Sequence, residues 1–221
     1  MAKTDTEFRE RIVLFDMFSG GQDELRSVLT ELTDHLRTPE LNGPLYTVTH
    51  ELVVNGLKAV YKKVFFDKFI VEIGLEDIDY QKWLALFKSE IEAHNAENFS
   101  RMVRESNQGV GVSIRVIRGD LRIVITNPGR PSPIEMDRIR RSIRSGHDLD
   151  HLSPILEEAA GDENREGAGL GLALIIMSLR KLGGDRAALR ITTRGDRTFA
   201  GISLRREVLE KYTIEADVDL T

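Results

Sequence analysis

The sequence predicts an α/β fold of the α+β kind, built from helices and β-hairpins. In the middle of the chain and again near its end, two segments rich in β-branched residues are joined by a short Gly-containing turn, as in antiparallel hairpins. Early in the chain, two segments repeat apolar residues at helical spacing. With 221 residues, 41% of them hydrophobic, the chain is long enough to bury one substantial core.

A short strand and two helices are predicted first. The apolar run from Ile12 to Phe18 predicts the strand. Helical spacing predicts one helix from Asp23, its cap, to Leu36 and another from about Leu45 to Val64. The apolar residues of the second helix share one side, which we expect to be buried.

The rest of the chain predicts one domain with a helical insertion. An amphipathic pattern from about 65 to 108 predicts one or two inserted helices. A polar, Arg-rich stretch separates the two hairpins, and a helix from about Gly169 to Leu182 precedes the second. The hairpin strands are Val110 to Ile117 with Leu121 to Thr126, and Leu189 to Thr193 with Thr198 to Leu204.

Charge and composition exclude several classes of function. The formal net charge of -5 argues against a broad nucleic-acid surface, because neutralising phosphates requires clustered Lys and Arg. The chain has no Cys, which excludes disulfides and thiolate metal sites. No secretion signal is recognisable, and the longest apolar run, Leu170 to Leu179, is far shorter than a membrane-spanning helix. We therefore expect a cytoplasmic protein with no nucleic-acid partner and no membrane segment.

A polar stripe marks the second helix. Glu51 and Asn55 are four residues apart and Lys58 follows three later, so the three side chains project along one side. An amide oxygen can ligate Mg²⁺, an ammonium can reach phosphate oxygens, and a carboxylate can orient an attacking hydroxyl or water. A solvated helix surface has the same pattern, so the stripe indicates a nucleotide site only in combination with two further motifs.

The segment Gly167-Ala168-Gly169-Leu170-Gly171-Leu172 opens a predicted helix. Glycines there let backbone N–H groups approach phosphate, and the helix dipole adds to the attraction. A dinucleotide-binding fingerprint is disfavoured, because Leu172 stands where its third glycine would be. A flexible loop before a buried helix is the alternative, and it explains one glycine more easily than three.

The third motif, Asn127-Pro128-Gly129-Arg130-Pro131, follows a predicted strand. In chain order, with the Asn127 segment between the polar stripe and the Gly167 segment, the three motifs resemble the N, G1 and G2 boxes of the GHKL ATPase superfamily, which includes histidine kinases and anti-sigma serine kinases. The resemblance implies the Bergerat ATP-binding fold, a two-layer sandwich whose mixed β-sheet is covered on one face by helices. It implies ATP and Mg²⁺ as cofactors.

The same resemblance implies roles for individual residues. Glu51 corresponds to the acid that assists phosphate transfer or water attack, Asn55 to the Mg²⁺ ligand and Lys58 to a phosphate contact. A segment from about 138 to 166 corresponds to the ATP lid. The implied nucleotide-binding residues are Asn55, Lys58, Asn127, Gly129, Gly167, Gly169, Leu170, Gly171, Leu172 and Thr198.

The second box departs from the family pattern Asp-x-Gly-x-Gly, because Asn127 replaces Asp and Pro131 replaces the second Gly. A neutral amide makes a hydrogen bond of roughly half the strength of a carboxylate's. A flipped amide would also serve guanine. We therefore expect weaker nucleotide binding with reduced adenine preference. A plain Asn-Pro-Gly turn after a strand explains the same residues.

The leading prediction is a Mg²⁺-dependent ATP-binding signalling domain, a kinase or ATPase that acts on a protein partner in trans. This prediction is compatible with a homodimer. The alternative is a non-catalytic regulatory module that keeps the fold and binds nucleotide weakly or not at all. Glu51, Asn55 and Lys58 favour activity, whereas Asn127 and Pro131 favour the module. His147 and His151 have the i, i+4 spacing of metal ligands, but a polar lid is the favoured interpretation.

Overall fold

The computed structural model describes residues 7–18, 20–73, 89, 96–148 and 170–218. These form a five-stranded sheet, six α-helices and a 3-10 turn at Pro39–Leu41, so the α+β class is confirmed. The strands are β1 (Phe8–Leu14), β2 (Val110–Ile117), β3 (Asp120–Pro128), β4 (Leu189–Arg194) and β5 (Arg197–Leu204). The helices are α1 (Gly21–Leu36), α2 (Asn42–Ile73), α3 (Ala96–Glu105), α4 (Pro133–Asp148), α5 (Leu170–Lys181) and α6 (Arg206–Val218).

The described sheet is antiparallel throughout, in the order β1-β2-β3-β5-β4. The expectation of a mixed sheet is therefore wrong for this part of the chain. Tight turns dictate antiparallel pairing inside the hairpins β2-β3 and β4-β5. Helical connections separate β1 from β2 and β3 from β4. Strand direction across such connections depends on how the helices cross the sheet, which apolar periodicity does not encode.

One face of the sheet is buried beneath helices. Alternate side chains of β2 and β3 are buried, as expected of strands with one covered face. Helix α2 contacts both strands, and α1 and α5 pack against α2. The opposite face carries exposed side chains, among them Arg9, Arg115 and Arg122.

The strand predictions differ in outcome. Both predicted hairpins are confirmed, with β2 at its predicted bounds. The first strand lies further toward the N-terminus than the predicted Ile12 to Phe18, because the β2 ladder pairs Phe8 with Val116 and Leu14 with Val110. The charged residues at 9–11 interrupt the apolar pattern by which strands are recognised, so the sequence did not predict a strand there. An edge strand such as β1 tolerates charged residues.

The helix predictions need three corrections. Helix α1 ends at Leu36 as predicted, but its N-cap is Gly20 and not Asp23. Helix α2 continues past Val64 to Ile73, so the first part of the predicted insertion is the end of this helix. Helix α6 has no counterpart among the predicted elements. A helix inside the insertion is confirmed by α3, while most of 74–95 lies outside the described residues.

The predicted lid, about 138 to 166, begins inside α4. Gly146 of this helix packs closely against α5, since a Cβ atom at Gly146 would lie 3.1 Å from the Ala173 Cα atom. The remainder of the predicted lid lies outside the described residues. Among the described helices, none combines the length and apolarity that crossing a membrane requires.

Candidate functional site

The polar stripe of Glu51, Asn55 and Lys58 lies on the side of α2 that faces away from the core. Glu51 is half-buried, whereas Asn55 and Lys58 are exposed. On the opposite side of the same turns, Val53 and Val60 are fully buried, which fixes the orientation of the helix. Within the described ranges, the three stripe side chains make no hydrogen bond or ion pair, and their polar atoms are therefore available to a ligand.

The first turn of α5 lies against the stripe. A Cβ atom at Gly171 would be 3.2 Å from Glu51 Oε2 and 3.9 Å from Asn55 Nδ2. The absence of a side chain at Gly171 thus lets the start of α5 lie close against the Glu51 carboxylate and the Asn55 amide. Leu172 is half-buried and packs on the core, and Leu170 is the first residue of α5. Gly167 and Gly169 lie outside the described residues.

Asn127 is buried at the end of β3, with 7% of its surface exposed. Its Nδ2 donates a hydrogen bond to the Pro128 carbonyl oxygen at 3.0 Å. Because that carbonyl can only accept, the side-chain amide is held with Nδ2 toward Pro128 and Oδ1 away from it. Oδ1 has no partner within the described part of the chain.

Thr198 completes the same end of the site. It lies directly opposite Asn127 in the β3–β5 ladder. Its hydroxyl donates to the Gly129 carbonyl oxygen at 2.8 Å, and the Gly129 N–H donates to the Asp196 carbonyl oxygen at 2.7 Å. These bonds tie the Asn127-to-Pro131 turn to the β4–β5 hairpin and hold Asn127 and Thr198 side by side.

Gly56 connects the polar stripe of α2 with the Asn127 turn. A Cβ atom there would lie 3.2 Å from a methyl carbon of Val110 and 3.7 Å from the Asn127 Cβ atom. This glycine, the neighbour of Asn55 in the chain, lets α2 approach the sheet beside Asn127. The polar stripe, the Asn127 turn and the start of α5 therefore converge, although they are far apart in the sequence.

Sequence reasoning missed a bridge between α2 and α4. Lys62 Nζ lies 2.8 Å from Glu135 Oε1, and the Ser132 N–H donates to Glu135 Oε2 at 2.7 Å. The Glu135 N–H in turn donates to Ser132 Oγ at 3.2 Å, which makes a capping box. Burial by itself raises the pKa of Glu135, but the bonds from Lys62 and Ser132 outweigh it and lower the pKa. The Ser132-x-x-Glu135 spacing was the available signal.

A second polar group, the Asp16 cluster, comprises Asp16, Tyr61, Ser100 and Arg104. Asp16 is 1% exposed and accepts hydrogen bonds from the Phe18 N–H, from Ser100 Oγ at 2.5 Å and from Arg104 at 2.7 Å. Burial, and then the Asp16 charge, raises the pKa of Tyr61 to about 12, while the Arg104 charge opposes the rise. No sequence motif marks this cluster, because its members come from three separate parts of the chain.

The donor set at the stripe fits a Mg²⁺ ion that is held largely by a ligand's own oxygens. Asn55 is exposed, and its side chain carries an amide oxygen, the type of ligand that Mg²⁺ accepts alongside phosphate oxygens and water. The described residues contain no group of three or more His, Cys, Asp or Glu arranged to hold a metal. Of the histidine pair, His151 lies outside the described residues. Burial and the nearby Arg186 and Arg180 lower the pKa of His147.

Comparisons with known proteins do not assign the chain to a family. No family model matches the chain, and no solved structure matches it. The chain is 27% identical over 188 residues to a protein of Treponema pallidum (strain Nichols) that carries the name "Uncharacterized protein". The aligned region is 82% of this chain and 34% of that protein, so the chain spans about a third of the relative's length. The superfamily assignment stays a prediction.

Proposed function

We propose that this chain is a Mg²⁺-dependent ATP-binding domain with a Bergerat fold. The proposal depends above all on one observation: the first turn of α5 lies so close to the stripe that a Cβ atom at Gly171 would be 3.2 Å from Glu51 Oε2 and 3.9 Å from Asn55 Nδ2. A helix start beside a half-buried carboxylate and an exposed amide suits a phosphorylated ligand, because backbone N–H groups at a helix start attract phosphate. A solvated helix face alone does not account for this convergence.

At the phosphate end, each stripe residue has a separate task. Asn55 would hold the Mg²⁺ ion through its amide oxygen, and Lys58 would bind a phosphate oxygen as a point charge. When bound, Mg²⁺ neutralises part of the phosphate charge. Glu51, half-buried beside them, would orient an attacking water or hydroxyl and accept its proton. This assigns Glu51 to turnover and Asn55 and Lys58 to binding.

At the base end, the orientation of Asn127 sharpens the expected base preference. Its Nδ2 is bonded to the Pro128 carbonyl, so the free acceptor Oδ1 suits the exocyclic amine of adenine. Reversing the amide to serve guanine would set Oδ1 against the Pro128 carbonyl, two acceptors facing each other. We therefore propose that ATP binds more weakly than it would to a carboxylate, yet more tightly than GTP.

The wider role is part of the same proposal. We infer an ATP-dependent kinase or ATPase of a cytoplasmic signalling protein whose protein substrate is supplied in trans. The second candidate is a non-catalytic regulatory module. The neutral Asn127, at the position where the resembled family has an aspartate, favours this alternative because it weakens the base contact. Turnover separates the two candidates.

The test combines binding and turnover on matched variants. Calorimetry with Mg²⁺-ATP and Mg²⁺-GTP, followed by release or transfer of labelled γ-phosphate, is carried out on the wild type, Glu51→Gln and Asn55→Ala. Glu31→Gln, an exposed glutamate on α1, is the control. We expect Glu51→Gln to abolish turnover while ATP still binds, and Asn55→Ala to weaken binding at least about tenfold.

Three results have distinct meanings. ATP binding without turnover in the wild type selects the regulatory module. No binding of either nucleotide refutes the proposed site and leaves only the α+β fold. Turnover that survives Glu51→Gln refutes the assigned role of Glu51, whereas a matching loss in Glu31→Gln would point to an effect unrelated to the site.

A further inference from the structure

Arginines line up across the uncovered face of the sheet. In the strand register, Arg9 lies opposite Arg115, and Arg115 lies opposite Arg122, so three guanidinium groups occupy one rung on β1, β2 and β3. The next rung on the same face carries Arg11 at one edge of the sheet and Arg190 at the other. All five side chains are exposed. We call these five residues the arginine face.

This arrangement opposes stability. Like charges directly across neighbouring strands destabilise a sheet, and cross-strand partners are only about 5 Å apart at Cβ. The charge of Arg9 is compensated by an ion pair with Glu7, with 2.6 Å between the guanidinium nitrogen and the carboxylate oxygen. Asp120 lies on the adjoining rung. Within the residues that the structure covers, Arg115 and Arg122 have no ion-pair partner. The chain has more acidic than basic residues, with a net charge of -5, yet three arginines occupy this rung.

The surface between the arginines is low and open. Ser113, Val124 and Gly201 lie side by side on the rung between Arg11 and Arg190. Toward the β5 end, Arg122, Val124, Gly201 and Arg190 line part of a shallow depression, whose lining also includes Asp120, Asp185, Arg205 and Glu207. The room for an extended acidic chain is therefore over the rung between Arg11 and Arg190, where small side chains lie between exposed guanidinium groups.

We propose that the arginine face binds an acidic protein segment, rich in Asp and Glu, from a partner. Arg pairs with carboxylates through two parallel N–H donors, and each partner carboxylate would relieve the repulsion within the rung. A single-stranded nucleic acid fits less well. Stacking platforms need aromatic side chains, and the two rungs of the arginine face carry none, although Phe199 lies on the rung next to Arg190. The site lies on the opposite face of the sheet from α2, so it is independent of the nucleotide proposal.

The test uses a fluorescein-labelled deca-glutamate peptide as the probe, with fluorescence anisotropy at low ionic strength. The wild type is compared with Arg115→Glu and Arg115→Gln, and with Arg141→Glu, which makes the same charge change at an exposed position of α4. We expect Arg115→Glu to weaken binding about tenfold, Arg115→Gln less, and Arg141→Glu less than about twofold. Deca-glutamine should not bind.

Thermal unfolding distinguishes a binding role from a structural one. Arg115→Glu places a carboxylate between the guanidinium groups of Arg9 and Arg122, so the melting temperature should rise by about 1–4 °C while peptide binding falls. A variant that is less stable than the wild type would overturn the repulsion argument. Equal loss of binding in Arg141→Glu would show that the probe follows net charge and would overturn the site. Tighter binding of deca-uridylate RNA or of phosphatidylserine vesicles would overturn the choice of partner.

Discussion

Two polar groups meet helix α2, and they differ in how far their hydrogen-bonding capacity is used. In the Asp16 cluster, the buried carboxylate accepts bonds from a backbone N–H, a hydroxyl and a guanidinium, and Tyr61 borders it. In the stripe, Glu51, Asn55 and Lys58 have no partner within the described ranges. A saturated, buried cluster stabilises the fold, whereas unpaired groups beside a helix start are available to a ligand. The difference separates structural polar residues from candidate functional ones.

The largest effect that this comparison predicts is at Asp16. Asp16→Ala removes the acceptor shared by Ser100 and Arg104, and we expect the free energy of unfolding to fall by about 3 kcal/mol. Chemical denaturation measures the change. Asp34→Ala, an exposed position on α1, is the control and should change stability by less than about 0.5 kcal/mol. A loss below about 1 kcal/mol at Asp16 would mean that water replaces its partners.

The contact that joins α2 to the sheet should come next. Gly56→Val places methyl groups against Val110, and we expect a loss of about 2 kcal/mol from overpacking, again by chemical denaturation. Gly111→Val is the matched control, because a Cβ atom there meets only the Thr126 carbonyl oxygen at 3.9 Å. Equal effects at the two glycines would show that α2 does not depend on this close approach.

Glu135 is intermediate between the two groups, because it is bonded yet close to the candidate site. Glu135→Gln should cost about 1 kcal/mol at neutral pH by weakening the capping box and the Lys62 pair. Since the folded pKa of Glu135 is lowered from 4.5, its contribution is present above that pH and disappears as the pH falls through the folded pKa. Denaturation of both proteins across this range should show the curves converging in acid. A gap that persists at low pH contradicts the charge argument.

The smallest effect on stability is expected at the stripe. Asn55→Ala should change the free energy of unfolding by no more than about 0.5 kcal/mol, in either direction, because an exposed Asn without partners contributes little to a helix. The same variant should lose ATP affinity, as stated for the calorimetric test. A destabilisation above about 1 kcal/mol would place Asn55 with the structural residues and remove the contrast with Asp16.

Much of the secondary structure was predictable because it depends on local patterns of apolar and β-branched residues. Alternating β-branched residues predicted the hairpins β2-β3 and β4-β5, and helical spacing predicted α1 and most of α2. The first strand was misplaced because its pairing with β2, and not its own polarity, determines its bounds. The extent of α2 beyond Val64 was missed because the residues from 65 onward have their own amphipathic pattern and were assigned to a separate insertion. No cap or Pro marks an end of the helix at Val64.

The candidate site divides in the same way. The sequence alone identified Glu51, Asn55 and Lys58 on one side of a helix, since the spacing follows from helical geometry. The closeness of Glu51 and Asn55 to Gly171, the register that pairs Asn127 with Thr198, and the burial of Asp16 and Ser100 were decided only by the tertiary structure. Local periodicity specifies which side of an element is apolar. The packing of distant segments alone specifies which polar groups on that element are saturated and which remain free to bind.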